Sequence, residues 1–427
     1  MTAPAVDAFA AIRHPFVRAM ALARVSGVIG TQIINVAVGW ELYERTGSAL
    51  SLGLVGLFEL TPVLFLMIPA GNAADRYPRR NIAMIAQSVA CIAAFGLMAV
   101  SWFEGPVNLI YAMLMLVGAA RSFSAPAVGT IMPQLLKTEQ FVNANAWLSS
   151  AFQFASISGP AIGGMIIAWT GGTKWAYFVA ALGQIIFIAA FSALPAIAPP
   201  EAKEKRKLSD VFAGFSFIRR TPVFLAAITL DMFGVLLGGA VVLLPIFAKD
   251  ILHVGPEGLG WLRASPSLGS LLMFLAVTRL PPMKRPGRML LFVVVGFGLA
   301  TIGFGLSTSF VLSMACLFLT GIFDSISVLI RQTLEQVVTP DRLRGRVSAI
   351  NYVFIGFSNE FGAFESGATA ALFGPIASVV GGGVGTILVV LAVIMAWPAL
   401  ARIGPLHTLK PEEEADIISA TEARHSV

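Results

Sequence analysis

The sequence predicts an all-α membrane protein with twelve transmembrane helices. Of its 427 residues, 57% are hydrophobic and only 12% are charged, whereas about a quarter of the residues in a soluble domain carry a charge. Apolar stretches of about 20 residues recur along the chain, and a helix of that length crosses the hydrocarbon core of a bilayer. The stretches are continuous and do not alternate, which argues against a transmembrane β-barrel.

Charges, prolines and glycines delimit the twelve predicted spans. The first begins after a short polar start that contains Arg13 and Arg18, and it is too long to be a cleaved signal peptide. The spans lie near residues 16–40, 50–72, 82–103, 107–131, 141–168, 175–196, 223–247, 258–279, 289–307, 310–335, 345–373 and 376–400.

The basic residues predict the orientation of these spans. Most of the 29 lysines and arginines fall on one side of the membrane, whereas the other side carries only Arg45, Lys174 and Lys249. By the positive-inside rule, both termini are expected in the cytoplasm, in a cell inner membrane. This topology accounts for the net charge of +6 without a nucleic acid partner.

A hydrophilic segment near the middle divides the chain into two halves. It contains EAKEKRKLSD and is the longest polar stretch between predicted spans. The expected order is a cytoplasmic start, an N-terminal six-helix bundle, a cytoplasmic linker, a C-terminal six-helix bundle and a cytoplasmic tail. These units cover residues 1–15, 16–198, 199–222, 223–400 and 401–427.

An internal repeat supports the division into halves. At an offset of 203 residues, the segment that begins at Arg121 aligns without a gap on the segment that begins at Asp324. The same offset pairs Gly159 with Gly362 and Gly164 with Gly367, and an offset of 204 pairs Gly56 with Gly260 and Pro62 with Pro266. Weak internal symmetry of this kind is expected of two halves related by an axis along the membrane normal.

The segment Gly-Asn-Ala-Ala-Asp-Arg-Tyr-Pro-Arg-Arg is predicted to form a gating loop between the second and third spans. Gly71 allows helices to approach closely, and Asp75 suits a helix N-terminus or a basic partner. The basic side chains Arg76, Arg79 and Arg80 belong in the headgroup layer. A merely basic cytoplasmic loop would account for the arginines but not for the glycine and the aspartate.

A glycine-proline motif lies in the fifth span, at Gly159, Pro160, Gly163 and Gly164. Proline bends a transmembrane helix, and glycines let its neighbours pack closely. Tight packing alone is an equal alternative to a functional bend.

These motifs resemble the major facilitator superfamily. The segment from Gly71 to Arg80 resembles the signature loop of that superfamily, and the glycine-proline motif resembles one in its proton-coupled exporters. The segments Trp40–Gly53 and Ala125-Pro126-Ala127 look like the branch that includes enterobactin exporters and macrolide efflux proteins.

The resemblance implies two six-helix bundles around a cavity lined by the first, fourth, seventh and tenth helices. It also implies a monomer in the lipid bilayer that rocks between two states. The implied function is proton-coupled efflux of a small amphipathic molecule, drug-like or a siderophore.

Charged residues within the spans are the candidate site residues, because each costs about 2.5–3.5 kcal/mol at the centre of a membrane helix. Arg121 lies in the middle of the fourth span and Asp324 in the middle of the tenth. Since the repeat superposes them, we expect an Arg121–Asp324 pair that releases Asp324 for a proton when substrate binds. A static packing pair is the alternative.

Two further pairs are expected near the cytoplasmic side. Arg24 and Asp231 lie at similar depths on the first and seventh spans, where a pair would close the inner mouth. Arg331 and Glu335, four residues apart, are expected to pair locally on the tenth span.

Three glutamates add candidates for the proton carrier: Glu59, Glu360 and Glu365. Glu360 and Glu365 are five residues apart and therefore point to different faces of a helix. No histidine falls within a predicted span, so a histidine relay is not expected.

The sequence lacks the signatures of other function classes. It contains no phosphate-binding Walker loop, cofactor fingerprint, His-Glu-x-x-His site or Gly-x-Ser-x-Gly elbow, so we expect no enzyme, cofactor or metal. Three alternatives to proton-coupled efflux stay open. They are a uniporter, exchanger or lipid flippase of the same fold; a receptor or assembly factor that does not transport; and an intramembrane enzyme.

Overall fold

The computed structural model describes residues 11–129, 131–136, 138–195, 215–277, 279, 283–340 and 342–405. Within these residues the regular secondary structure is helical, without a β-strand. The first ten residues, most of the predicted linker and the tail from residue 406 onward lie outside the described residues.

Twelve long helices account for the described chain. They are α1 (Pro15–Thr46), α2 (Ala49–Arg76), α3 (Arg79–Trp102), α4 (Val107–Gly129), α5 (Thr138–Thr170), α6 (Lys174–Ser192), α7 (Pro222–Gly238), α8 (Gly255–Val277), α9 (Pro286–Leu306), α10 (Phe310–Val338), α11 (Arg344–Phe373) and α12 (Pro375–Ala396). Short turns extend α7 to Ile251, and single helical turns occupy Met132–Leu135 and Pro398–Ala401.

The predicted twelve-helix architecture is confirmed. In the part of the chain that is described, ten helices are long and apolar enough to cross a membrane by length and composition. The two others, α8 and α11, are equally long but more polar. Each of these two packs along a helix of the other half, α8 on α5 and α11 on α2.

Local sequence explains where the helices turn. At the end of α1, Gly47 adopts a left-handed conformation, with φ of 59°, and its N–H bonds to the carbonyl of Tyr43. The next residue, Ser48, caps α2 by accepting a hydrogen bond from the N–H of Ser51. The turn between the first two helices is therefore only two residues long.

The segment from Gly71 to Arg80 was predicted to be a loop, and this prediction is wrong because most of the segment is helical. Helix α2 continues through Arg76, and α3 begins at Arg79, so only Tyr77 and Pro78 lie between them. Tyr77 has an extended conformation, with φ of −115° and ψ of 156°, which is the conformation favoured for a residue before proline. The motif thus forms the last turns of α2 and the start of α3.

The two halves repeat the same packing scheme. Helix α1 packs on α5 and α6, as α7 packs on α11 and α12. Helix α4 packs on α2 and α3, and in the second half α10 packs on α8 and α9 in the same way. The contact between α3 and α6 likewise has its equivalent between α9 and α12. A shift of six helices therefore converts one half into the other, as the sequence offset predicts.

Glycines bring the two halves into backbone contact at one end of the bundle. We call the end that carries the start of α1 the terminal face, and the opposite end the far face. A Cβ added at Gly53 on α2 would lie 3.0 Å from the Cα of Gly367 on α11, and one at Gly164 on α5 would lie 3.0 Å from the Cα of Gly260 on α8. All four glycines lie within two turns of the far face.

The glycine-proline motif of α5 serves these contacts. Gly159 faces Gln32 and Gly163 faces Ile33, both on α1, whereas Gly164 faces α8. In the other half, Gly362 faces α7 and Gly367 faces α2, so the glycines that the repeat aligns make equivalent contacts. The tight packing expected of this motif is confirmed, and α5 continues through Pro160.

We expect Gly367→Ala to lower the melting temperature of the purified protein. Its Cβ would lie 2.5 Å from the Cα of Gly53, and overpacking of this kind costs about 1–3 kcal/mol. Gly356→Ala on the same helix is the matched control, because no atom lies within 4 Å of its added Cβ. Equal melting temperatures for the two variants would contradict the glycine contact between the halves.

Candidate functional site

Charged side chains from six helices form two clusters deep in the bundle. The first, the interface cluster, consists of Glu59, Arg121, Arg263 and Glu360. The second, the C-half cluster, consists of Asp231, Asp324 and Arg331. Arg121 and Asp324 each lie about 21 Å along their helices from the far face, at about 1.5 Å per residue.

The interface cluster joins the two halves through ion pairs. The guanidinium of Arg121 on α4 contacts the carboxylate of Glu360 on α11 at 2.6 Å, and that of Glu59 on α2 at 3.6 Å. The half-buried Arg263 on α8 acts electrostatically on both glutamates. With two guanidinium groups and two carboxylates, the interface cluster balances its own charge.

Glycines position the interface cluster. Gly118 on α4 packs against the backbone carbonyl of Glu59, and a Cβ there would also lie 2.8 Å from the ring of Pro62. Gly56 on α2 packs against the backbone carbonyl of Glu360. Because α2 approaches both α4 and α11 this closely, the side chains of Glu59, Arg121 and Glu360 meet.

The C-half cluster contains one more carboxylate than guanidinium. Arg331 on α10 forms a close ion pair with Asp231 on α7, and both side chains are about nine-tenths buried. Asp324, two turns before Arg331 on the same helix, lies 3.9 Å from its guanidinium. Its side chain keeps 48% of its surface accessible, so this carboxylate borders open space in the middle of the bundle.

A narrow recess lies beside Asp324 between α7, α9 and α10. Asp231, Asp324 and Ser327 form its polar lining, and the rest is apolar and includes the rings of Phe297 and Phe323. The recess thus combines an apolar wall with an accessible negative charge.

The predicted pair between Arg121 and Asp324 is wrong, although both side chains are accessible and lie at the same depth. Arg121 binds Glu360 and Glu59 instead, because Gly118 brings α4 against α2 and Gly56 brings α11 against α2. Asp324 lies beside Arg331 of its own helix.

The pair predicted between Arg24 and Asp231 is also wrong. Asp231 is occupied by Arg331, and the guanidinium of Arg24 lies 5.2 Å from the ring centre of Phe152 instead. In the described residues the Nε of Arg24 is buried without a hydrogen-bond partner.

The local pair predicted between Arg331 and Glu335 is wrong for a rotational reason. Arg331 turns toward α7, whereas the carboxylate of Glu335 turns toward α11, where Ser348 and Asn351 donate hydrogen bonds to it. Of the other predicted carboxylates, Glu365 is half-buried and accepts a 3.5 Å hydrogen bond from Ser366.

Two features were not predicted from the sequence. Arg263 belongs to the interface cluster, and Arg331 is the ion-pair partner of Asp231. Glu59 and Arg263 align with each other at the offset of 204, but the similar alignment of Arg121 with Asp324 does not mark a pair. In the predicted gating segment, Arg80 donates a 2.7 Å hydrogen bond to the carbonyl of Leu194, which ties α3 to the end of α6. The gating role itself stays a prediction.

A repeated twelve-helix bundle with ionisable groups near its middle is the architecture of a secondary transporter. The chain belongs to the Major Facilitator Superfamily, whose family model matches residues 20–363. It is therefore a multi-pass membrane protein of a transporter family, and the resemblance drawn from its motifs is confirmed.

Similar proteins are exporters and transporters by name. The chain is 28% identical over 390 residues to the enterobactin exporter EntS of Escherichia coli O1:K1, which covers 91% of this chain and 93% of that protein. The enterobactin exporter EntS of Shigella boydii serotype 18 matches to the same extent.

Solved structures share the fold at low sequence identity. A bacterial homologue of the human lysosomal transporter Spinster, inward-facing and unoccupied, matches with a TM-score of 0.67 and 14% identity, covering 91% of this chain and 96% of that chain. A mutant of the nucleoside transporter NupG matches with a TM-score of 0.70 and 13% identity, covering 90% of this chain and 99% of that chain.

We expect the interface cluster to respond to charge as a unit. Arg121→Gln leaves Glu59 and Glu360 facing each other with less positive charge, so it lowers the melting temperature. Adding Glu360→Gln removes the excess carboxylate and restores part of the loss, as expected of groups coupled by about 0.5–3 kcal/mol. Arg288→Gln is the control, because this arginine is exposed at the start of α9.

The coupling would be contradicted if the double variant lost as much melting temperature as Arg121→Gln and Glu360→Gln lose together when measured singly. If Arg121→Gln lowered the melting temperature no more than Arg288→Gln does, the ion pairs of Arg121 would be contradicted.

Proposed function

We propose that the protein exports a small amphipathic organic molecule from the cytoplasm in exchange for protons. In this proposal it works by alternating access in the cell inner membrane, with both termini in the cytoplasm. The names of its relatives support the direction, since the enterobactin exporters match along nearly the whole chain. The basic residues support the orientation, because most of those that the structure describes lie at the terminal face.

The accessible carboxylate of Asp324 carries the proposal. A negative charge deep in a membrane protein is costly, so it is stabilised by a proton, a bound cation or a fixed partner. Arg331 is already engaged by Asp231 and reaches Asp324 only at 3.9 Å. Asp324 is therefore free to exchange a proton for a ligand. That exchange couples the entry of protons to the export of the substrate.

The contacts between the halves support an inward-facing state. At the far face the halves touch through the Gly53–Gly367 and Gly164–Gly260 crossings, and the hydroxyl of Tyr43 donates to the carboxylate of Asp250. The side chains of Arg121 and Asp324 are nevertheless about half accessible. Access from the terminal face, with the far face closed, accounts for both observations.

The interface cluster is the element that changes when the halves rock. Arg121 belongs to the first half and Glu360 to the second, so their 2.6 Å contact depends on the relative position of the halves. Glu59 lies 3.6 Å from Arg121 within the first half. When α11 moves away from α2, Arg121 therefore keeps a carboxylate partner in its own half.

The alternatives differ from this proposal in what drives them. A uniporter, exchanger or lipid flippase of the same fold would move its substrate without a proton gradient. A receptor or assembly factor would work with its halves fixed and without flux. The exposed surplus carboxylate favours proton coupling over these, because neither alternative needs a titratable group in the cavity.

We expect Asp324→Asn to abolish proton-driven efflux. Asparagine keeps the size of the side chain but neither binds nor releases a proton, so transport no longer depends on the gradient. The measurement is uptake of a panel of fluorescent amphipaths into inverted vesicles, with and without a proton gradient. Glu104→Gln is the matched control, because Glu104 is exposed in the turn after α3.

Gradient-driven uptake by wild type and Glu104→Gln, lost in Asp324→Asn, is the expected result. Uptake that ignores the gradient in the wild type would refute proton coupling and favour a uniporter or flippase. Unchanged gradient dependence in Asp324→Asn would remove this residue from the coupling step.

A further inference from the structure

The segment Trp40–Gly53, whose sequence resembles the exporter branch, lies at the far face. It forms the last turns of α1, the two-residue turn and the start of α2. Its polar side chains point in two directions, since Glu41 turns into the first half and Tyr43 turns toward the second half. The segment therefore stands where the two halves meet.

Tyr43 holds the second half through two consecutive residues. Its hydroxyl donates a hydrogen bond to the carboxylate of Asp250, and the amine of Lys249 lies 5.8 Å from the centre of its ring. Both partners belong to the π-helical turn Phe247–Ile251 that extends α7, and turns of this kind are frequent at functional sites. We call this contact between the halves the Tyr43 latch.

Glu41 is buried two residues earlier, in a polar network among helices of the first half. Its carboxylate pairs with Arg45 at 3.1 Å and accepts a 2.8 Å hydrogen bond from the hydroxyl of Thr173, just before α6. Arg45 also donates to the carbonyl of Gly105, and the hydroxyl of Thr173 lies 2.8 Å from that of Ser101 on α3. The last turns of α1 are thereby tied to α3, to α6 and to the turn before α4.

The two sets of contacts differ in the way that a gate requires. The Tyr43 latch combines a hydrogen bond with a cation–π contact, and each is weak enough to break and form again in every cycle. The Glu41 network contains a buried carboxylate with charge-assisted partners, which is costly to separate. It therefore persists when the halves move apart. Because residues two apart point in nearly opposite directions from a helix, fixing Glu41 also fixes the direction of Tyr43.

We propose that the Tyr43 latch holds the far face closed and that Glu41 is the positioning residue that directs Tyr43 toward Asp250. The inference rests on the alternating access of the proposed function. It gives the segment Trp40–Gly53 a specific task, which is to carry a breakable contact between the halves on a rigid part of the first half.

The distance between spin labels on the two halves tests the inference in the full chain, in nanodiscs without a gradient. The labels are attached to cysteines that replace Phe103, just after α3, and Val311, at the start of α10, because both side chains are exposed at the far face. The buried Cys91 and Cys316 are replaced by alanine. Pulsed electron paramagnetic resonance then gives the ratio of molecules with an open far face to molecules with a closed one.

We expect Tyr43→Phe to raise this open-to-closed ratio about fivefold, as the loss of one hydrogen bond implies. Tyr111→Phe is the matched control. It also removes one tyrosine hydroxyl near the far face, but this hydroxyl donates to the carbonyl of Ser51 within the first half. The ratio should therefore stay unchanged in Tyr111→Phe.

A double-variant comparison separates positioning from general stability. Glu41→Gln keeps the size of the side chain but loses the ion pair with Arg45. It should raise the open-to-closed ratio in the presence of the Tyr43 hydroxyl and leave it unchanged in Tyr43→Phe, where no latch is left to direct. Thr173→Val removes a hydrogen bond to the same carboxylate at equal size and should act in the same way, so the test stands even if Glu41→Gln does not fold.

An unchanged ratio in Tyr43→Phe, or an equal rise in Tyr111→Phe, would overturn the latch. Equal effects of Glu41→Gln and of Thr173→Val with and without the Tyr43 hydroxyl would overturn the positioning role. The proposed function fails separately. A raised ratio in Tyr43→Phe with no gradient-driven efflux by the wild type would refute proton-coupled export and keep the latch, whereas gradient-driven efflux with an unchanged ratio would refute the latch alone.

Discussion

The cost of placing charge inside a membrane is the constraint on which this structure depends. Each charged group near the middle of the bundle has to find a partner, and here the partners come from different helices. Arg121 joins α4 to α2 and α11, and Arg331 joins α10 to α7. The ion pairs therefore link helices that lie side by side. Asp324, the carboxylate in excess within the C-half cluster, becomes the group that is free to react.

Close helix crossings make those ion pairs possible. Gly118 and Gly56 bring the backbones of α4 and α11 against α2, so that side chains of ordinary length meet. Nearer the far face, Gly53 and Gly164 hold the halves together by backbone contact, which depends on having no side chain there. The halves also touch through side chains, since Gln153 on α5 donates a hydrogen bond to the carbonyl of Ser267 on α8.

Hydropathy and the internal repeat were sufficient to predict twelve helices and a twofold arrangement, because both depend on where residues lie along the chain. The ion pairs could not be predicted in the same way. Hydropathy fixes the depth of a charge but not the rotation of its helix, and Arg331 and Glu335 illustrate this by turning to different neighbours. The partner of Arg121 depended on α11 approaching α2, a contact between halves that the sequence offset does not describe. The repeat also aligns Glu59 with Arg263, which lie in one cluster, but it aligns Arg121 with Asp324, which do not pair, so alignment of opposite charges does not identify ion pairs.

Counting the protons released when a transported amphipath binds to the purified protein tests the central claim most directly. A weakly buffered solution with a pH indicator, examined over a series of pH values, reports that number for wild type and for Asp324→Asn. We expect wild type to release up to one proton per bound molecule within part of the pH series and Asp324→Asn to release none. Binding without proton release at every pH, or equal release by both proteins, would contradict the role of Asp324 as the group that exchanges a proton for substrate.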